Sequence, residues 1–159
     1  MKKFGDIVIK AIVIVIAASL LGIAVNVVSP KGIPWIYVPK TKIVVDNIEI
    51  PIITEARARE YLDDGETIFL DTREAEDYSE SHIKGAISFP EPEKEDQYTR
   101  FESRLPRDAR IILYCNGPEC HMAENVAIFL AKLGYTGLMV MTAGMEGWES
   151  AGYPIATGR

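Results

Sequence analysis

One uninterrupted apolar run, Ile7 to Val28, decides how the rest of this chain has to be divided. Only Lys10, Ser19, Gly22 and Asn26 break it. Its 22 residues, wound as a helix, reach about 33 Å, enough to cross a hydrocarbon layer of about 30 Å. A helix packed in a soluble core would carry a polar stripe, and this one has none. A cleaved signal peptide has a related composition, but no clear small-x-small cleavage pattern stands around Ala24 to Ser29, so a retained anchor over 1–28 is the expectation. Lys2, Lys3, Lys10 and the amino terminus precede the span, favouring an N-terminus in the cytoplasm. Lys31, Lys40 and Lys42 follow it and weaken that bias. The expectation is a single pass through the cytoplasmic (inner) membrane with the soluble part on the outer, periplasmic side. Trp35 and Tyr37, flanked by Pro34 and Pro39, suit either the headgroup level or packing against the domain.

The anchor also reshapes the averages. The 159 residues carry a net charge of −6, but the first 28 contribute +2 through Lys2, Lys3, Lys10 and Asp6. The remainder, with 14 basic and 22 acidic residues, stands at −8, which disfavours a nucleic-acid surface. The length excludes a large barrel enzyme or a multidomain assembly. A charged fraction of 25% is too ordinary for a disordered chain, and two cysteines are too few for a disulfide scaffold.

Residues 29–51 contain Pro, Gly and Lys with short β-branched pieces such as Ile43-Val44-Val45, and read as a tether ending in an edge strand. Over 52–159 strands and helices alternate. Thr54 suits an N-cap for a helix bearing Ala58, Tyr61 and Leu62 and stopped at Gly65. Ile68 to Leu70 reads as a buried strand ending at Asp71, with a helical turn over Glu74 to Tyr78 and a strand over Ala86 to Phe89. Pro90 to Asp96 reads as an acidic surface loop, and Gln97 to Leu105 as a helix stopped by Pro106. Arg110 to Tyr114 reads as a core strand, followed by a helix with Met122, Val126, Phe129, Leu130 and Leu133 on one face and Gly134 at its end. Gly137 to Met141 reads as a further strand and Glu146 to Ala151 as a last short helix. This alternation implies an α/β domain with a mostly parallel sheet.

In such sheets, ligands gather at the carboxyl ends of strands. Here that position reads Cys115-Asn116-Gly117-Pro118-Glu119-Cys120-His121. A Cys115 thiolate would meet the positive end of the Met122 helix and backbone N–H donors, while Gly117 and Pro118 shape a tight curl. The local chemistry fits a nucleophilic thiol in an amide-lined cradle, or a buried inert cysteine.

Four pieces in order settle on one family. Asp71-Thr72-Arg73-Glu74, then Tyr78, then His82-Ile83-Lys84-Gly85-Ala86 resembles the D-x-R…H-I-x-G-A signature of rhodanese domains. Tyr114-Cys115 before a short loop, and a helix ending Leu133-Gly134-Tyr135, is similar to the family's active-site segment. Gly144 to Trp148 with Ala151-Gly152-Tyr153-Pro154 is similar to its closing pattern. The resemblance implies a three-layer rhodanese-like fold with a parallel sheet of about five strands. It also implies sulfurtransferase activity without a metal or organic cofactor. Cys115 would take sulfur from thiosulfate, polysulfide or a persulfide, carry it as a persulfide and yield it to a thiol acceptor. The loop Asn116 to His121 would hold that persulfide, with Asp71 and Arg73 bracing the sheet and His82 hydrogen-bonding structurally.

One departure from the family bears on substrate. Many rhodanese loops end in a basic residue, and the related phosphatases use a Cys-x5-Arg loop to clamp phosphate. Here Cys120 and His121 stand in those places, so bidentate binding of an oxyanion has no guanidinium to rest on. Phosphatase activity is not expected, and thiosulfate is expected to be a poor donor unless Lys84 or Arg73 lies near. Cys120 is in turn a candidate resolving thiol, giving an alternative reading as a redox protein cycling a Cys115–Cys120 disulfide. A non-catalytic interaction module is a further alternative. A zinc site from Cys115, Cys120, His121 and His82 has weak spacing support and is not expected. The acidic groups Asp63-Asp64, Glu74 to Glu80 and Glu91 to Asp96 read as solvated faces, and Tyr98, Phe101 and Leu105 as packing residues.

Overall fold

The computed structural model describes residues 2–30, 32–33 and 40–158. Lys31, Pro34, Trp35, Tyr37 and Pro39 lie outside the described residues, and with them the reading of an aromatic anchor at the headgroup level. The chain forms two compact units, Met1–Pro39 and Lys40–Arg159.

The first unit is α1, Lys2–Val28. Its stretch from Phe4 to Val28 is long and apolar enough to cross a membrane, a property that signal sequences share. Its large side chains, Ile7, Ile14 and Leu21 among them, are exposed. Just beyond it, the Asn26 side-chain amide donates to the Ile33 carbonyl at 2.9 Å and accepts from the Ile33 amide at 2.5 Å.

The second unit is an α/β domain. β1 (Lys42–Val45) and β2 (Ile48–Ile53) form an antiparallel hairpin. Its turn, Asp46-Asn47, has φ of 47° and 66°, the paired positive angles that a tight hairpin turn requires and that Asp and Asn tolerate. The edge strand expected at the end of the 29–51 stretch is β1, and the sheet continues into β2, which pairs parallel with a strand far along the chain. α2 (Glu55–Asp64) follows, with the Thr54 hydroxyl accepting from the Arg57 amide at 3.2 Å and Gly65 left-handed at its end. β3 (Ile68–Asp71), α3 (Ala75–Glu80), β4 (His82–Ile83) and β5 (Ile87–Ser88) come next. After a 3₁₀ turn at Glu91–Glu93, α4 runs Lys94–Phe101. It therefore starts inside the stretch expected to be loop, where Glu95 and Asp96 in its first turn suit the positive helix end. A second 3₁₀ turn, Glu102–Arg104, leads to Pro106. β6 (Ile111–Tyr114), α5 (Met122–Lys132), β7 (Leu138–Met141), α6 (Gly144–Ser150) and β8 (Ile155–Ala156) complete the domain.

The main sheet has the order β1-β2-β7-β6-β3-β5, parallel throughout except at the β1 edge. β4 and β8 form a separate antiparallel ribbon, which the sequence reading did not anticipate. One apolar layer gathers Leu70, Leu113, Val126, Leu130 and Tyr135 on the α5 side of the sheet. The other gathers Phe69, Ile112, Tyr114, Met145 and Trp148 on the α2 and α6 side. β6 runs through the middle and all four of its side chains are buried. The registers Asp71↔Tyr114 and Tyr114↔Met141 bring the carboxyl ends of three neighbouring strands level, and Cys115 leaves the sheet there.

Candidate active site

Cys115 is held by a sequence of backbone bonds around it. The carbonyl of Tyr114 accepts from both the amide (3.0 Å) and the hydroxyl (2.9 Å) of Thr72, at the end of β3. The carbonyl of Cys115 accepts from the Met145 amide at 2.8 Å, and that of Asn116 from the Glu146 amide at 2.9 Å. Those amides belong to the first turn of α6 and have no partner within the helix, so they are free to tie the loop down. Gly144 makes this approach possible. It sits at φ 61°, and a Cβ there would come within 2.4 Å of the Asn116 carbonyl oxygen and 2.6 Å of that of Cys115.

Beneath this scaffold lies a buried polar frame. Asp71, wholly buried, receives the Arg73 guanidinium through Nε at 3.0 Å and Nη2 at 2.6 Å, and the Arg73 amide at 3.1 Å. Arg73 also donates to the Ser81 carbonyl at 2.6 Å. Burial alone would favour a neutral guanidinium, but the hydrogen-bonded Asp71 carboxylate outweighs it and holds the charge more firmly than usual. The Tyr114 hydroxyl accepts from the Ile83 amide at 3.1 Å. Burial, reinforced by the Asp71 charge, pushes its ionisation far above the ordinary tyrosine range. His82 stacks on Tyr78 with ring centroids 3.9 Å apart, and its Nδ1 lies 2.8 Å from the Tyr78 carbonyl, so that nitrogen carries the proton. Tyr78 in turn donates to the Ala86 carbonyl at 2.8 Å.

The loop itself is tied differently. Cys115 and Cys120 are joined as a disulfide, with Cα atoms 6.3 Å apart. The Cys120 amide bonds the Gly117 carbonyl at 3.0 Å, and Cys115 Sγ lies 3.3 Å from the Cys120 carbonyl oxygen. In this closed form no backbone amide among the described residues donates to Cys115 Sγ. A shallow pocket over the loop is lined by Asn116, Gly117, Pro118, Glu119, Cys120 and Glu146. It holds two carboxylates and no Lys or Arg, and a Cβ on Gly117 would meet the Glu146 carboxylate at 2.6 Å. Glu146 is the neighbour the sequence reading missed, since only the β7–α6 connection brings it there. Arg73 is committed to Asp71 and Ser81, and Lys84 lines a different hollow with Arg59 and Asp63. Neither is a partner for an oxyanion at the loop. His121 is exposed at the start of α5 without a side-chain capping bond. Among the described residues no group of three or more His, Cys, Asp or Glu is arranged to hold a metal ion.

A parallel sheet with a cysteine at the carboxyl end of its central strand, feeding a short loop and helix, defines a class of α/β domain built around one thiol. The chain belongs to the rhodanese-like domain family, whose model matches residues 54–151. It is 31% identical over 106 residues to a thiosulfate sulfurtransferase GlpE of Actinobacillus succinogenes, covering 66% of this chain and 89% of that protein. It is 33% identical to an HTH-type transcriptional regulator, Rv0324, of Mycobacterium tuberculosis, of which the match spans 45%. Among solved structures, the BH2092 protein of Bacillus halodurans is 31% identical with a TM-score of 0.58, over 66% of this chain and 75% of that one. A thiosulfate sulfurtransferase of Pseudomonas aeruginosa is 27% identical with a TM-score of 0.59, over 69% of this chain but 20% of that one.

Proposed function

We propose that this protein is a membrane-anchored sulfurtransferase in which Cys115 carries sulfane sulfur as a persulfide. In the first half-reaction the Cys115 thiolate attacks the outer sulfur of a donor, a new S–S bond forms, and the donor's remaining anion leaves. In the second, an acceptor thiolate attacks that outer sulfur and the Cys115 thiolate departs. No metal or organic cofactor enters the cycle. The supporting observation is the position of Cys115 at the end of β6, with its own carbonyl and both neighbouring ones tied to β3 and α6. Sulfurtransferases among its relatives support the same reaction class. Asn116 to His121 form the loop over the carried sulfur, Asp71 and Arg73 brace the strand end, and His82 fixes the α3–β4 corner.

The donor we favour is a persulfide borne on a thiol compound rather than thiosulfate, whose dianion would bring a sulfonate to a loop pocket lined by Glu119 and Glu146 without a Lys or Arg. We further propose that residues 1–28 anchor the protein by a single pass in the cytoplasmic membrane, with the domain on the periplasmic side. The test is turnover of sulfane sulfur to a thiol acceptor by the full chain in detergent. Cys115→Ser should lower the rate by at least about a thousandfold, and Glu146→Gln should improve thiosulfate relative to a thiol persulfide. Undiminished turnover by Cys115→Ser contradicts the proposal.

A further inference from the structure

Cys120 stands where a second thiol changes what happens to a persulfide on Cys115. Its Cα is 6.3 Å from that of Cys115, within the span a disulfide bridges, and the two sulfurs are bonded. Two features of the loop favour this approach. The Gly117 carbonyl takes the Cys120 amide at 3.0 Å, which folds the loop back on itself. The Cys115 backbone is held in place, because the carbonyls on either side of it are bonded by Thr72 and Glu146 and its own by Met145. The fold of the loop therefore brings Cys120 to Cys115. Cys120 is half-buried and packs against the apolar layer that also contains Val126 and Leu130, whereas Cys115 is only 3% exposed. A small external thiol has a harder path to the inner sulfur than Cys120 does.

We infer that Cys120 is a resolving thiol, so that the domain also reduces sulfane sulfur to sulfide with two electrons from its cysteines, which are left oxidised as a Cys115–Cys120 disulfide. The inference rests on Cys115 being the sulfur carrier. The Cys120 thiolate attacks Sγ of the Cys115 persulfide, the Cys115–Cys120 bond forms, and the bond from Sγ to the outer sulfur breaks. The outer sulfur leaves as hydrosulfide with the electron pair of that bond. One sulfane sulfur is thereby reduced and the two cysteines are oxidised, with no external oxidant. A dithiol reductant then restores both thiols by exchange. Attack at the inner sulfur, rather than transfer of the outer one, follows from which atom Cys120 reaches: its sulfur lies on Sγ itself. The half-burial of the disulfide limits access to it, which suits a reductant that docks at the loop. The domain would then sit downstream of reactions that generate thiol persulfides and upstream of those that consume sulfide.

The experiment loads the reduced full chain, in detergent, with one equivalent of a low-molecular-weight thiol persulfide, following intact mass and free sulfide together. The wild type should release about one equivalent of sulfide and end two hydrogens lighter than the reduced protein. Cys120→Ser and Cys120→Ala should both gain one sulfur atom on Cys115 and release sulfide at least about tenfold more slowly. Two variants are used so that misfolding of one leaves the outcome readable. If the wild type keeps the added sulfur as the Cys120 variants do, or forms the disulfide without matching sulfide, Cys120 does not resolve and the carrier role of Cys115 stands. If the Cys120 variants never acquire sulfur on Cys115, the carrier reading itself is wrong.

Discussion

The strand-end frame and the loop above it, separated by one peptide bond, are built on opposite principles. In the frame, Asp71, Thr72, Arg73, Tyr114 and His82 are all buried, and each makes a hydrogen bond to backbone or side chain. In the loop, Asn116, Pro118, Glu119 and His121 are exposed, and the closing bonds are one amide–carbonyl contact and the disulfide. Buried hydrogen bonds are thus concentrated under Cys115, while those loop residues above it are exposed. If Cys115 is the sulfur carrier proposed above, its backbone is held in place by the frame while the exposed loop faces its partners.

Cutting the frame should have the largest effect. Asp71→Ala leaves the Arg73 guanidinium buried with its charge uncompensated, and about 3–5 kcal/mol of stability should be lost. Glu119→Ala, in the loop, should change stability by less than about 0.5 kcal/mol. Denaturant titration of both variants measures the contrast, and equal losses would erase it. Gly144→Ala tests the joint between the two regions. A Cβ at φ 61° pressed on the carbonyls of Cys115 and Asn116 should cost about 2–3 kcal/mol and depress sulfur loading as well, because α6 can no longer pin the loop's first residues. If stability fell while loading stayed intact, the α6 contact would be structural alone.

The smallest effect concerns alkali. Burial and the Asp71 charge raise the folded-state pKa of Tyr114 above its unfolded value, so the folded state holds this proton where the unfolded state gives it up. The resulting stability is fully present below the unfolded pKa and declines as pH rises past about 10, by at most about 1.4 kcal/mol per pH unit. Tyr114→Phe should flatten that slope and cost about 1 kcal/mol near neutrality through the lost Ile83 bond. Stability curves recorded from pH 8 to about 11 for both proteins make the comparison.

Much of this architecture could be read from residue patterns. Ile111 to Tyr114 is apolar without relief and ends at Cys115, which marks both a central strand and its carboxyl end. Thr54 and Gly65 bracketed α2 because capping is local chemistry. β2 escaped because Pro51 interrupts its pattern and because Asp46-Asn47 was not read as the hairpin turn its positive φ angles make it. The β4–β8 ribbon escaped for another reason: two-residue strands have no periodicity, and their pairing joins His82 to Ala156 across most of the domain. At the site, the identity of the thiols was legible, but the approach of Glu146 to Gly117 is purely tertiary. So is the fixing of three successive carbonyls around Cys115.

The central claim is that Cys115 carries the sulfur, and the most direct measurement is peptide mass mapping of Cys120→Ser after loading with a thiol persulfide and alkylation. The account predicts one added sulfur atom on the peptide containing Cys115, and none in the Cys115→Ser protein treated alike. Sulfur recovered elsewhere, or in equal yield without Cys115, would contradict it.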